Sequence, residues 1–588
     1  MTGPWLDWAL EAQTAGMPLP EVLATVADGP GRPPLVLDGR VIEPTTGGRP
    51  VEPVPPGGLG QVHEALLATG ERRRRGAFYT PADLASGLVA AVVEESVTGP
   101  VVDPACGGGA FLLASGRRLV ELGVGPAEQV ARRWLFGADT DPTAVAVARW
   151  TVAEWAGVDS DDVVGLVVGD PLADGLSAWA PQDRDGFATV VGNPPFLGQL
   201  RRGTAYESGR RAVLREVYGD LVGPYTDAAW LFLACGLRLL HPGGRMVLVQ
   251  PQSLLSARDA GPVRRHLLGE GRLTGLWFDT SGVFAGRSEV CAPVVEKAAS
   301  DGPVRLLIDR SVESAGTVPP PGPDDPWGVL VAGLLGIPRV GSVGAGTVAD
   351  RASVTAGFRQ HFYGLIPAVG EASAVRGPAP RPLVTTALVD PLLCRWGSAP
   401  ARFAGRRWNA PVVDESAVAL ADPEVAEWLV RRHRPKLLVA TQTRVVEVVV
   451  DPDGVMVPAT PLVIVEPDEA DLWLLAAALS APPVSAQAAV TTLGTARSAG
   501  RIKLAARQVA GLSLPVDRAA WEEGAAAARD LWIAGESASP DSWRAFGVLM
   551  CRAYREDPDP LVAWWWERHP AAQRGGAGTG RGGRATNA

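Results

Sequence analysis

Lysine is almost missing from this chain: among 588 residues only Lys297, Lys436 and Lys503 carry an ammonium, and the other 52 of the 55 basic residues are arginine. That bias suggests a GC-rich bacterial genome. Excess positive charge is missing too, since 64 acids against 55 bases leave a net charge of -9. The field of the whole molecule therefore mildly opposes a nucleic-acid partner, and any such contact has to come from local patches. The five cysteines (Cys106, Cys235, Cys291, Cys394, Cys551) are odd in number, scattered and without a CxxC pair, which argues against a disulfide framework and a structural zinc site. The histidines His63, His241, His266, His361, His433 and His569 show no ligand spacing, and no metal is expected. No charged segment followed by an apolar one opens the chain, and the longest apolar stretches, Leu472 to Leu479 and Val329 to Ile337, are too short to span a bilayer. The expectation is a cytoplasmic protein with no membrane partner.

What is present reads as globular: 46% hydrophobic and 20% charged residues, over a length that suits two to four domains. Residues 1–56 form an N-terminal extension rich in Pro and Gly, with a short helix near Trp5 to Gln13 and no assignable chemistry. Residues 57–70 look helical; the basic run Arg72 to Arg75 follows, and a further helix starts at Pro81. Between Leu84 and Leu248 helical periods alternate with short β-branched strands at Val101-Val102, Phe136 to Ala138, Gly165 to Val168, Thr189 to Val191 and Met246 to Val249. That alternation predicts an α/β fold with a doubly wound parallel sheet, whose ligands sit outside the carboxyl ends of the strands. A linker over 316–339 precedes a mixed region, 340–520, with a hairpin signal: Arg444 to Val450, a turn at Asp451-Pro452-Asp453-Gly454, then Val455 to Val465. Residues 521–570 look helical and Trp-rich, and 571–588 form a Gly and Arg tail expected to be disordered.

Four predicted strand ends carry polar residues. Val101-Val102-Asp103-Pro104-Ala105-Cys106-Gly107-Gly108-Gly109 is a strand entering a glycine loop, where a ligand can approach the backbone. Neither GxGxxG nor a P-loop Gly-Lys-Ser is present, which disfavours a dinucleotide or a nucleoside triphosphate. Asp139 ends the next strand, where a carboxylate can accept both ribose hydroxyls of an adenosyl ligand, while Asp141 before Pro142 reads as a helix N-cap. Asp170, in Gly169-Asp170-Pro171, is either an acceptor for an adenine amine or a turn aspartate. The sharpest signal is Val190-Val191-Gly192-Asn193-Pro194-Pro195-Phe196. Its two prolines deny the backbone donors, leaving the Asn193 side-chain oxygen and the Pro194 carbonyl as acceptors beside the ring of Phe196. Such a site suits a planar group bearing an NH2, held by two hydrogen bonds and stacked on a ring.

Taken in order, these motifs resemble those of the gamma-order DNA methyltransferases that act on the exocyclic amine of adenine, as in type I and type IIG restriction-modification proteins. The matching residues are Phe78-Tyr79-Thr80-Pro81, Asp103-Pro104-Ala105-Cys106-Gly107, Asp139, Asp170, Asn193-Pro194-Pro195-Phe196, Tyr225-Thr226-Asp227, Leu239 to Gly244 and Gln250-Pro251. The resemblance implies a class I S-adenosylmethionine-dependent methyltransferase fold, a Rossmann-like doubly wound sheet, over 57–315, followed by a mixed α/β target-recognition region over 340–520. It implies S-adenosyl-L-methionine as cofactor, held by Thr80 at the methionine carboxylate and by Asp103, Ala105, Cys106, Gly107, Asp139, Asp170 and Pro171. It makes Asn193, Pro194, Pro195 and Phe196 the catalytic residues and sets Phe284 as a second aromatic against a flipped base. The chain departs from the family in having Gly107-Gly108-Gly109 where Gly-Ser-Gly is usual and Phe196 where tyrosine is more frequent; both keep the chemistry. Thr80 before a proline is by itself also an ordinary N-cap.

The implied activity is methylation of adenine N6 in double-stranded DNA by base flipping, with restriction or defence-system subunits as partners. Both acceptors would strengthen their hydrogen bonds as charge develops on the amine, so no general base is needed before attack. The local basic groups (Arg72 to Arg75, Arg201-Arg202, Arg210-Arg211, Arg264-Arg265, Arg431 to Lys436, and Arg497 with Arg501 and Lys503) are either solvated faces or phosphate contacts. Two other readings use the same residues: a class I methyltransferase acting on RNA or on a protein glutamine, and a non-catalytic DNA-recognition subunit of a defence complex.

Overall fold

The computed structural model describes residues 4–45, 54–55, 57–67, 80–179, 185–196, 208–280, 282, 289–297, 302–341, 344–357, 359–374, 380–496 and 500–576. The run Arg72 to Arg75, Phe78, Tyr79, Arg201, Arg202, Phe284, Arg497 and the tail beyond 576 lie outside the described residues. The chain divides into two compact units, 1–330 and 331–588.

The first unit is built on nine main strands: β1 (Val101–Asp103), β2 (Leu135–Asp139), β3 (Leu166–Val168), β4 (Phe187–Gly192), β5 (Leu240–Leu248), β6 (Gly271–Phe278), β7 (Val290–Lys297), β8 (Val304–Ile308) and β9 (Glu313–Val318). Their order is β9-β8-β6-β7-β5-β4-β1-β2-β3, and the short Gln250–Pro251 strand adds to β7. From β3 to β5 all neighbours are parallel, whereas β7 runs antiparallel between β5 and β6. Helices cover both faces, so β1 and β4 are buried along their whole length, and their β-branched runs form strands without any polar alternation. The order reverses between β1 and β4, and an open α/β sheet has its ligand crevice at such a point. Strand β9 takes residues 313–318 into the sheet and Trp327 is fully buried, so much of the predicted linker 316–339 is built into the fold.

Ten helices of the first unit matter here: α1 (Pro4–Thr14), α2 (Leu19–Ala27), α3 (Gly58–Leu66), α4 (Ala82–Ala90), α5 (Ala110–Glu121), α6 (Ala127–Arg133), α7 (Pro142–Ala156), α8 (Ser208–Tyr218), α9 (Ala228–Leu239) and α10 (Gly261–Glu270). Helix α7 starts as its sequence dictates: Asp141 accepts from the Thr143 N–H at 3.0 Å, Pro142 follows, and Gly157 ends it in the left-handed region. The resembling triplet Tyr225-Thr226-Asp227 is likewise a helix start, with Asp227 accepting from the Ala229 N–H at 3.1 Å ahead of α9. The N-terminal segment packs Trp5, Val22 and Leu23 against Leu59 and Val62 of α3 and Val147 and Trp150 of α7. Trp150 is fully buried, and its indole N–H donates to the Pro33 carbonyl at 2.8 Å.

The second unit holds an antiparallel sheet ordered Ala352–Ala356, Val463–Pro467, Lys436–Val439, Val448–Asp451. A second sheet is ordered Val369–Glu371, Pro411–Val413, Arg381–Val384, Val457–Pro458. The hairpin expected across Asp451–Gly454 does not form. Val448–Asp451 pairs with Lys436–Val439, while Val457–Pro458 joins the other sheet, parallel to Arg381–Val384. The cause is Asp451, whose buried carboxylate takes the Val455 and Met456 N–H groups at 3.0 and 2.9 Å and Lys436 Nζ at 2.6 Å, turning the chain away from its own strand. The helices Leu472–Ser480, Pro482–Thr491, Arg518–Ala534, Pro540–Tyr554 and Pro558–Arg568 share one core with the first of these sheets, so 521–570 and much of 340–520 form one body. The helix Pro570–Gly576 includes the start of the predicted tail. Among the described residues no single helix is long and apolar enough to cross a membrane.

The basic run Arg431 to Lys436 is engaged internally. Arg432 and Arg434 both reach Glu466 at 2.9 Å, Arg431 pairs with Glu427 at 2.9 Å, His433 with Glu415 at 2.7 Å, and the fully buried Lys436 with Asp451. Lys436 and the largely buried Arg432 tie the unit together, while Arg431 and Arg434 keep more than half of their side chains exposed. Replacing Lys436 by Met is expected to strand the Asp451 carboxylate in the core and cost about 3–5 kcal/mol, read as a lowered urea midpoint for the second unit.

Candidate active site

At the carboxyl ends of β1 to β4 the first unit encloses a cavity of about 470 Å³. The four strands deliver one polar residue each: Asp103 at the end of β1, Asp139 at the end of β2, Asp170 just after β3 and Asn193 just after β4. Asp103 is 1% exposed and accepts from the Ala105 N–H at 3.0 Å. Asp139 ties two loops together, its two oxygens accepting from the Gly107 N–H at 3.0 Å and the Asp141 N–H at 2.9 Å. Asp170 is paired with Arg210 of α8 at 2.9 Å; burial pushes its carboxyl up and Arg210 pulls it down. The Asn193 amide donates from Nδ2 to the buried Thr80 hydroxyl at 3.1 Å. Thr80 caps no helix: α4 has Pro81 at its N-cap, without a side-chain cap bond.

Two glycines let these groups meet. A Cβ on Gly192, the residue before Asn193, would lie 2.5 Å from Asp103 Oδ1, so only a bare backbone passes there. A Cβ on Gly108 would lie 2.6 Å from the Cα of Gly60 in α3, so the glycine loop rests directly on that helix. Thr80, Asp103, Ala105, Cys106, Gly107, Asp139, Asp170, Pro171, Asn193 and Pro195 all line the cavity. Pro194 is buried, and Phe196 is half-buried against the core under α4 and α5; neither lines the cavity. Sequence reasoning missed Gly60 and His63 of α3, Phe111, Arg210 and Phe232, which also line it. Gly60 and His63 fall in the stretch 57–70 that reads as a helix, and Arg210 was visible only as a cation. Phe232 sits in an apolar helix where any position reads as core.

The lining is acidic. Among the described residues Asp139, Asp141, Asp170 and Glu64 face it together with the guanidinium of Arg210, which suits a ligand bearing positive charge. Burial, reinforced by the neighbouring Asp139, raises Asp103 to about 8, and burial with both of those acids pushes the Cys106 thiol well up. Among the described residues no group of three or more His, Cys, Asp or Glu side chains could hold a metal. Between the ordinary aspartate value of 3.8 and about 8 the folded unit keeps a proton on Asp103 that the unfolded chain has lost, so stability falls as pH rises through that window. Asp103→Asn is expected to remove that part of the slope, which urea midpoints measured at several pH values between 4.5 and 8, roughly the span of this linkage, will check.

Comparison with known proteins follows the same ground. Residues 57–313 match the family model described as N-6 DNA Methylase. The Type II methyltransferase M.VspI of Vibrio sp. (strain 343) is 27% identical over 217 residues, 37% of this chain and 46% of that protein. The Type II methyltransferase M.TthHB8I of Thermus thermophilus is 29% identical over 231 residues, 38% of this chain and 45% of that protein. The chain thus spans less than half the length of these curated relatives. Among solved structures, the Type IIL restriction-modification enzyme MmeI in complex with DNA matches with a TM-score of 0.57 at 13% identity, covering 98% of this chain and 94% of that one, a likeness of fold. The glycine loop after β1 and the Asn-Pro-Pro-Phe motif after β4 both lie within residues 57–313, the part of the chain that is similar to the N-6 DNA methylase family.

Proposed function

We propose that this chain is a site-specific DNA methyltransferase that moves a methyl group from S-adenosylmethionine to the exocyclic N6 amine of adenine flipped out of duplex DNA, in restriction-modification or phage defence, beside restriction or defence-system partner subunits. The observation that carries the reading is the convergence of Asp103, Asp139, Asp170 and Asn193 from four adjacent strand ends on one cavity. Its volume, 470 Å³, falls in the range of small-molecule sites, and its acidic wall answers a cofactor with an ammonium and a sulfonium. Support also comes from the two curated relatives, both named type II methyltransferases.

The residues that would hold the cofactor are Thr80, Asp103, Ala105, Cys106, Gly107, Asp139, Asp170 and Pro171. Bound there, S-adenosylmethionine supplies a methyl group made electrophilic by its sulfonium. Asn193 and the Pro194 carbonyl are the acceptors for the adenine amine. That amine is a poor nucleophile because its lone pair is delocalised into the ring, and two acceptors favour the pyramidal form. As positive charge develops on the nitrogen, both hydrogen bonds become charge-assisted, so they stabilise the transition state more than the ground state, and the surplus proton leaves to water once the methyl group has moved from sulfur to nitrogen. Thr80 acts as a positioning residue as well, because its bond to Nδ2 turns Oδ1 of Asn193 into the acceptor end of the amide. The target nitrogen is out of reach inside a duplex, so the base has to leave the stack, with Phe196 and Phe284 replacing the lost stacking.

Transfer of labelled methyl from S-adenosylmethionine to mixed-sequence duplex DNA, with nucleoside analysis, tests the proposal; N6-methyladenine is the expected product. Label appearing in RNA or protein glutamine instead would sink it. Asn193→Ala is expected to lose on the order of 10² in kcat, roughly 3 kcal/mol, with cofactor affinity retained in calorimetry. Thr80→Val is expected to lower kcat more than it raises KM for DNA, and Thr80→Ser to restore the parental value.

A further inference from the structure

In the second unit, Ala401–Phe403 and Arg406–Trp408 form a hairpin whose two-residue turn puts both Ala404 and Gly405 in the left-handed region, at φ 50° and 77°. One face of this ribbon is pinned to the core: Ala401 and Phe403 are buried, and the Trp408 indole donates to the Phe403 carbonyl at 3.2 Å. The other face presents Arg402 directly opposite Arg407 in the ladder, while Arg406, opposite Phe403, flanks the turn at the edge of the first face; all three are exposed. None of the three has an ion-pair or hydrogen-bond partner among the described residues, although elsewhere in this unit Arg351, Arg381, Arg431, Arg432, Arg434 and Arg552 are each paired with an acid. Glu371, at the base of the hairpin, is taken by the Asn409 and Ala410 N–H groups at 2.8 and 2.9 Å. Like charges directly opposite each other in a ladder destabilise it, as Arg402 and Arg407 are here. Behind Arg402 lies a cavity of about 260 Å³, also lined by Phe362, Phe403, Thr385 and Thr386. Thr385 is 6% exposed, and its hydroxyl has no hydrogen-bond partner among the described residues.

We infer that the 401–408 ribbon is a phosphate-contacting element for duplex DNA, with Arg402, Arg406 and Arg407 as the cations. It supplies sequence-independent anchoring: a charge-complementary, rigid two-stranded ribbon meets the phosphodiester backbone, and the guanidinium repulsion is relieved when anions are bound. The inference rests on duplex DNA being the substrate, as proposed above.

The test is binding of the full chain to labelled duplexes of unrelated sequence over a salt series, for the parent and for Arg402→Gln/Arg407→Gln. The expected result is a salt slope of log K lower by about 1.8, close to 0.9 for each phosphate no longer neutralised, with the same weakening on every sequence. Cofactor affinity stays parental and the thermal midpoint does not fall, because the repulsive pair is gone; Arg518→Gln, which breaks the pair with Glu522, keeps the parental slope. An unchanged slope in the double variant, with a parent that methylates duplex adenine, overturns the ribbon assignment alone. A weakening confined to one sequence overturns the phosphate role in favour of base readout. A parent that binds only RNA, and leaves duplex adenine unmethylated, overturns this inference together with the proposed function.

Discussion

The approach of the β4 backbone to the Asp103 carboxyl is the contact on which the site depends. A Cβ at Gly192 would sit 2.5 Å from Asp103 Oδ1, so β1 and β4 bring their ends together only because that position is bare. This places Asn193 at the reversal of strand order, within 3.1 Å of the Thr80 hydroxyl, and leaves Asp103 so deeply buried that its carboxyl rises to about 8. Desolvating a carboxyl without a cation beside it is unfavourable. The fold tolerates it at one point, which is also where the acidic wall of the cavity is concentrated.

The rest of the first unit supports that contact from outside the sheet. Helix α3 meets the glycine loop backbone to backbone at Gly60 and Gly108, and α3 is itself held by the N-terminal helices through the cluster around Trp150. Helices α1 and α2 thus reach the site through two layers of packing. Asp139 closes the arrangement by hydrogen-bonding the N–H groups of two separate loops.

The second unit follows a different electrostatic rule. Many of its arginines are matched to acids, and even the densest basic run, Arg431 to Lys436, is consumed by Glu427, Glu466, Glu415 and Asp451. The hairpin at 401–408 gathers Arg402, Arg406 and Arg407 without such partners among the described residues, which the net charge of -9 for the chain hides. Local pairing, not composition, separates cations that hold the unit together from cations left for a partner.

The parallel half of the sheet was legible in the sequence because buried parallel strands are continuous β-branched runs, and each ends in residues of restricted conformation. Val101 to Asp103, Phe136 to Asp139 and Val190 to Asn193 therefore announced their strands, their ends and the polar residues placed there. The N-cap at Asp141 was legible for the same reason, since its hydrogen bond is local. What depended on contacts distant in sequence was not: Asp451 looked like a hairpin turn, yet Lys436 and the chain's departure to a second sheet decided its role. Thr80 could have been a cap until Asn193, 113 residues away, was brought to its hydroxyl. Arg210, Phe232 and His63 joined the cavity through helix packing, which no local pattern encodes. Strand propensity and turn chemistry act over a few residues and so are written in order along the chain; the pairing of charges and the lining of a cavity are set by which surfaces meet, and only the folded chain decides that.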